Sequence, residues 1–235
     1  TTYLDNYDAP FLFIDPYCDT EDVTTLSHEF GHYLDAYVNY NAYESLDLSE
    51  CFSQAMEYIM LDRCAMQDAD EQAALRLIKL LDTLDLYVTQ ASFAEFESRV
   101  YAMDEDELDA DALNMLSLEL AGEYGYLGAN AEYYALSWID VTHFFEAPFY
   151  VISYPVANDA AMQIYALERE NAGAGLEKYT EMLPREHSGL IETLEATGLE
   201  SPFAPGRIEA AAALMREELA QAGFTVDGEY TEHAA

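Results

Sequence analysis

His28-Glu29-Phe30-Gly31-His32 sets two imidazoles four residues apart with a carboxylate directly after the first. On an α-helix, positions i and i+4 lie one above the other. His28 and His32 can therefore each offer a ring nitrogen to one ion about 2.0–2.1 Å away. Glu29 projects beside that stripe, where it is better placed to hold and deprotonate a water at an open metal position than to bind the metal. The chemistry that suits this set is hydrolysis with zinc, Glu29 acting as the general base.

A catalytic zinc site takes three protein ligands and keeps a fourth position for water, so a third donor must come from a nearby element. Glu50 is the expected donor. It stands 22 residues after His28, far enough for one helix to end, the chain to turn through Tyr40-Asn41-Ala42, and a second helix to run back antiparallel with Glu50 in its first turn. Glu44, Asp47 and Glu57 are rival carboxylates. Glu57 falls two turns after Glu50 on the same stripe, where it can accept the free ring N–H of a ligand histidine and hold its orientation.

These residues, His28-Glu29-Phe30-Gly31-His32 followed by Ser49-Glu50-Cys51-Phe52-Ser53-Gln54 and Glu57, resemble the thimet oligopeptidase and oligoendopeptidase F family of zinc peptidases. The run from His143 to Tyr154 is similar to the segment that supplies transition-state donors in the bacterial oligoendopeptidases. The resemblance implies that His28, His32 and Glu50 bind zinc, that Glu29 activates the water, and that His143, Tyr150 and Tyr154 line the far side of the scissile carbonyl. A neutral phenol suits that task, because it donates to an oxygen that becomes negative only as the bond is attacked. Pro155, directly after Tyr154, is expected to kink or break a helix there. His187 and His233 are read as non-catalytic.

The elements that must position these groups are mostly helices. Val23, Leu26, Phe30, Leu34 and Tyr37 predict a helix from about Val23, capped by Asp22, with one buried apolar face. The second helix carries Leu48, Cys51, Phe52, Ala55, Met56, Ile59 and Met60 on its apolar side. Helical stripes also run over 75–88, over 104–122 and over 207–223. Phe11 to Ile14, between Pro10 and Pro16, predict an extended segment that can pair with an extended substrate or form a structural hairpin. Gly122, Gly125 and Gly128 mark a loop ahead of the His143 segment, either one that lets the tyrosines swing or a set of ordinary turns. The expected fold is mainly α, a helical zincin-like catalytic domain with a small β element near the N-terminus.

The chain has 235 residues, 51% of them hydrophobic, enough for a full core. No long uncharged apolar stretch and no basic leader appear, so neither a membrane span nor a signal peptide is expected. Three cysteines, Cys18, Cys51 and Cys64, close no pairing scheme, and a cytoplasmic location is expected. A net charge of -37 opposes nucleic-acid binding. Only 27 residues precede His28 and the chain begins with Thr1, whereas the family that it resembles carries a long helical region before the motif. Residues 1–235 are therefore expected to be the C-terminal catalytic part of a larger zinc oligopeptidase.

The expected activity is endopeptidase cleavage of short unstructured peptides. Its partners would be the peptide and either the missing N-terminal part or a second copy. The alternatives are a carboxypeptidase or dipeptidase of the same chemistry, or a catalytically incomplete peptide-binding module that keeps a metal.

Overall fold

A computed structural model describes residues 1–17, 21–39, 45–61, 63, 69–126, 128, 130–184 and 189–224. The expected turn at Tyr40-Asn41-Ala42, the rival donor Glu44, and Cys18, Cys64, His187 and His233 lie outside the described residues. Ten α-helices are described: α1 (Glu21–Asn39), α2 (Leu46–Leu61), α3 (Ala69–Tyr101), α4 (Ala110–Glu123), α5 (Ala131–Leu136), α6 (His143–Glu146), α7 (Ser153–Glu170), α8 (Ala174–Met182), α9 (Leu190–Thr197) and α10 (Arg207–Gln221). The sheet is one antiparallel hairpin, β1 (Thr2–Leu4) with β2 (Ala9–Phe11), in which Tyr3 faces Pro10. The protein is mainly α with a small β element at its start, as its sequence predicts.

The core is built around α2. Leu48, Phe52, Ala55, Tyr58 and Ile59 are all 1% exposed or less, and the helix is buried on nearly every side. It packs against α1, α3, α7 and α8, with Phe52 edge-on to Tyr179 and Tyr58 stacked on Tyr165 at 5.0 Å. Phe96, Leu116 and Leu120 form a smaller cluster, on which Trp138 and Phe144 rest.

Several local expectations change. α1 starts at Glu21, so Asp22 lies inside its first turn, where its Oδ1 accepts the Tyr17 N–H at 3.0 Å. The apolar stripe of α1 is only partly its buried face: Val23 and Leu34 pack on the core, but Leu26, Phe30 and Tyr37 are exposed, and the fully buried positions are Ser27, Gly31 and Asp35. Close approach to α2 is the reason, since a Cβ at Gly31 would stand 2.5 Å from the Phe52 carbonyl oxygen and from the Ser53 Cα. Only a small-residue stripe lets two backbones come so near.

The paired strand ends at Phe11, leaving Leu12 to Ile14 outside the ladder. The 104–122 stripe divides into a 3₁₀ turn at Glu105–Glu107 and α4, because Asp109 caps the latter through Ala112 N at 2.9 Å. Gly122 lies within α4, and only the following Gly125 takes a positive φ, of 77°. Glu50 begins the second turn of α2, one residue later than expected. Pro155 does not break its helix. It occupies the third position of α7, where the N–H that it lacks has no intrahelical partner in any residue.

Gly31→Ala is expected to destabilise the chain by about 2–3 kcal/mol, the cost of overpacking against rigid backbone. Thermal or urea unfolding of the variant checks this, and an unchanged midpoint would show that the two helices separate easily.

Candidate active site

His28 and His32 stand one turn apart on the α1 surface that faces α2, beside the Ser27–Gly31 stripe. His28 lies against Glu57 and His32 against Ser49, so the two helices run antiparallel. This brings both histidines to Glu50, which is 1% exposed. The Nε2 atoms of His28 and His32 are 3.1 Å apart, and they lie 3.6 and 3.7 Å from the Glu50 oxygens. Donor atoms of the three residues all fall within 4.8 Å of one another. Ligands at about 2.0–2.1 Å from a tetrahedral zinc ion stand about 3.3–3.4 Å apart, so the nitrogen and carboxylate donors present fit such an ion in type and spacing.

The atoms behind this group fix its orientation. His28 Nδ1 meets Glu57 Oε1 at 2.7 Å, and His32 Nδ1 meets Ser49 Oγ at 3.1 Å. Burial pulls the His28 pKa down, but the Glu57 hydrogen bond and the surrounding carboxylates outweigh it and leave the imidazole above its ordinary value. For His32 burial prevails and the pKa is lowered. Glu57 also outweighs its own burial, through Lys79 and His28, and stays below the carboxylate range.

Glu29 is bonded to the start of the chain, where Thr1 lines the same cleft as His32 and Tyr150. Its Oε2 accepts from the Thr1 hydroxyl at 2.6 Å and from the Thr1 amine. Burial raises its pKa, and these bonds reverse the shift. Asp47, at the start of α2, is not part of the donor group.

His143, Tyr150 and Tyr154 approach from the other side. The His143 ring stacks on Tyr150 at 4.8 Å, and the Tyr154 hydroxyl lies 3.3 Å from His143 Nε2. The Tyr150 hydroxyl donates to Glu50 Oε1. Burial first, then the Glu50 charge, pushes Tyr154 up to about 12 and Tyr150 higher still, so both phenols remain protonated donors. Clefts open on two sides of the group. One is lined by His28, Gln54, Glu57, Lys79, Asp82 and Tyr154, the other by His32, Asp35, Leu46, Ser49 and Tyr150.

Sequence reasoning missed three supports. Gln54 donates to the Tyr154 carbonyl at 3.2 Å and accepts from Asn158 at 2.6 Å, and Asn158 in turn accepts from Tyr58 at 3.2 Å. All three are 1% exposed or less. Lys79 reaches Glu57 Oε2 at 2.6 Å. Glu97, 2% exposed, accepts the Phe149 N–H at 2.8 Å through Oε1, while its Oε2 has no partner among the described residues. Phe149 has a φ of 62°, a left-handed conformation that is strained for this side chain. The glutamate thus holds the turn between His143 and Tyr150. Lys79 did leave a signal, as a charged residue interrupting the helical stripe over 75–88, but no sequence spacing tells what it faces.

Residues 6–206 match the family model described as peptidase family M3. No curated protein matches the chain. Among solved structures it is similar to PZ peptidase A, determined with an inhibitor. That match has 23% identity and a TM-score of 0.84, and covers 96% of this chain and 41% of that one. A putative oligoendopeptidase F follows at 24% identity and a TM-score of 0.82, over 96% and 41% of the two chains. The oligoendopeptidase F of Enterococcus faecium aligns at 22% identity and a TM-score of 0.66, over 86% and 39%. At these identities the likeness establishes the fold. The chain spans about two fifths of the length of these structures.

Burial raises the Glu97 pKa, and the Phe149 N–H and His143 lower it by less. A carboxyl raised on folding holds its proton more tightly in the folded state, so its stability contribution is lost as pH rises through the folded value. Glu97→Gln keeps an acceptor for Phe149 and is expected to flatten that decline, which melting curves from the carboxylate range to neutral pH will check.

Proposed function

Since the chain belongs to peptidase family M3, we propose that it is the catalytic part of a zinc-dependent endopeptidase acting on short unstructured peptides. The observation that carries this reading is the convergence of His28, His32 and Glu50 within 4.8 Å, with Glu57 behind His28 and two protonated tyrosines opposite. His28, His32 and Glu50 would hold the ion. Bound there, zinc supplies Lewis acidity and makes a water far easier to deprotonate near neutral pH.

The chain's own groups do the rest. Glu29 takes a proton from the attacking water as oxygen bonds to the peptide carbon, and then delivers a proton to the departing amine. The carbonyl oxygen gains charge in that step. Tyr150, Tyr154 and His143 donate to it more strongly in the transition state than in the ground state. Tyr150 is bonded to Glu50 in the present structure, so the incoming carbonyl competes with a carboxylate for that phenol. Glu57 keeps His28 in the tautomer that offers Nε2. The exposed edge of the β1–β2 hairpin, just ahead of α1, offers backbone groups to an extended peptide.

Glu29→Gln is expected to lower kcat for an internally quenched, end-blocked peptide by about 100- to 10,000-fold while zinc content stays stoichiometric. Tyr154→Phe is expected to lower kcat by about 100- to 1,000-fold with little change in KM. Cleavage confined to unblocked termini would replace the endopeptidase reading with an exopeptidase one. A chain without zinc would remove the mechanism.

A further inference from the structure

Lys79 is 3% exposed, in the third turn of α3. An isolated buried ammonium is costly, so its surroundings should explain it. Its Nζ lies 2.6 Å from Glu57 Oε2 and 4.7 Å above the Tyr58 ring. The other Glu57 oxygen is the one that meets His28 Nδ1 at 2.7 Å. Lys79, Glu57 and His28 thus form a line from α3 through α2 to α1, ending at an imidazole whose Nε2 faces His32 and Glu50.

We propose that Lys79 is a positioning residue for the metal site, clamping one oxygen of Glu57 so that the other holds His28 in its ligating orientation. A glutamate has three side-chain torsions, and a single hydrogen bond leaves the carboxylate free to turn about it. Two anchors, one on each oxygen, fix its plane. The charge arrangement points the same way. Glu29, Glu50 and Glu57 all bear on His28, and Lys79 sets a cation against the carboxylate that holds the ring from behind, outside the donor group. Asp82 faces the same ammonium from α3 but lies farther out, and the cleft runs beside both.

This inference rests on the zinc reading, and the test separates the two. Zinc dissociation constants are measured by competition with a chromogenic chelator for the parent chain, Lys79→Met, Glu57→Gln and the double variant, with folding followed by circular dichroism. Lys79→Met is expected to weaken zinc binding by about 10- to 100-fold, as does loss of a hydrogen-bond partner behind a ligand histidine. The double variant is expected to bind no more weakly than Glu57→Gln alone, because both residues act through one hydrogen bond. Affinity of Lys79→Met within about two-fold of the parent, or losses that multiply as they do for independent sites, overturns the proposal. Should Lys79→Met alone not fold, the double variant, which leaves neither charge unpaired, decides it against Glu57→Gln: equal affinity supports the clamp and a further loss overturns it. A parent chain that binds no zinc overturns the metal reading and this inference together.

Discussion

The architecture of the site depends on how near α1 comes to α2. At Gly31 the two backbones leave no room for a methyl group, and the neighbouring positions on that face, Ser27 and Asp35, are short enough to follow. A larger residue there would move α1 outward and carry His28 and His32 away from Glu50. Ligand-sized gaps between donors on different helices tolerate errors of only a few tenths of an ångström. The glycine inside the His-Glu-x-x-His run is thus as much a part of the site as the residues with chemistry. It also explains why the aromatic residues Phe30, Tyr33 and Tyr37 stack along the solvent side of α1 and not in the core.

Burying carboxylates in so acidic a chain places heavy demands on few cations. The sequence has nine lysines and arginines, and five of them, Arg63, Arg76, Lys79, Arg169 and Arg207, lie within ion-pair distance of the buried residues Glu168, Glu218, Glu57 and Asp159. Glu168 further accepts the N–H groups of Gly173, Gly175 and Leu176, joining α7 to the start of α8. With 46 acidic residues against nine basic ones, the surface stays strongly acidic. Such a surface repels polyanions, while the interior pairs are the ones whose removal would strand a charge. The same distribution turns Lys79 inward to Glu57.

Much of this was legible. Periodicity located α1, α2, the first part of α3, α4 and α10, because each carries apolar residues at helical spacing over several turns. It caught only part of the buried face of α1, Val23 and Leu34 but not the small residues beside them, since a stripe of large apolar residues outweighs a stripe of small ones in any hydrophobicity pattern, although here the small ones make the closest contact. Pro155 could equally kink, break or open a helix, because a proline at the start of a helix reads the same as one in its middle until the helix boundary is known. The extended segment expected over 11–14 overlaps the paired strand only at Phe11, as a run of apolar residues cannot show where a partner strand ends.

By itself the sequence determined the pairing of His28 with His32 and the place of Glu29 beside them, because helix geometry fixes what lies four residues away along a continuous backbone. It also fixed the helical class and the acidity of the surface. Tertiary structure decided which carboxylate meets the histidines, that Glu57 stands behind His28 and Lys79 behind Glu57, and that Tyr150 and Tyr154, about a hundred residues along the chain, close the other side. Those relations cross from helix to helix. They are set by the packing of side chains far apart in sequence, for which local spacing holds no record.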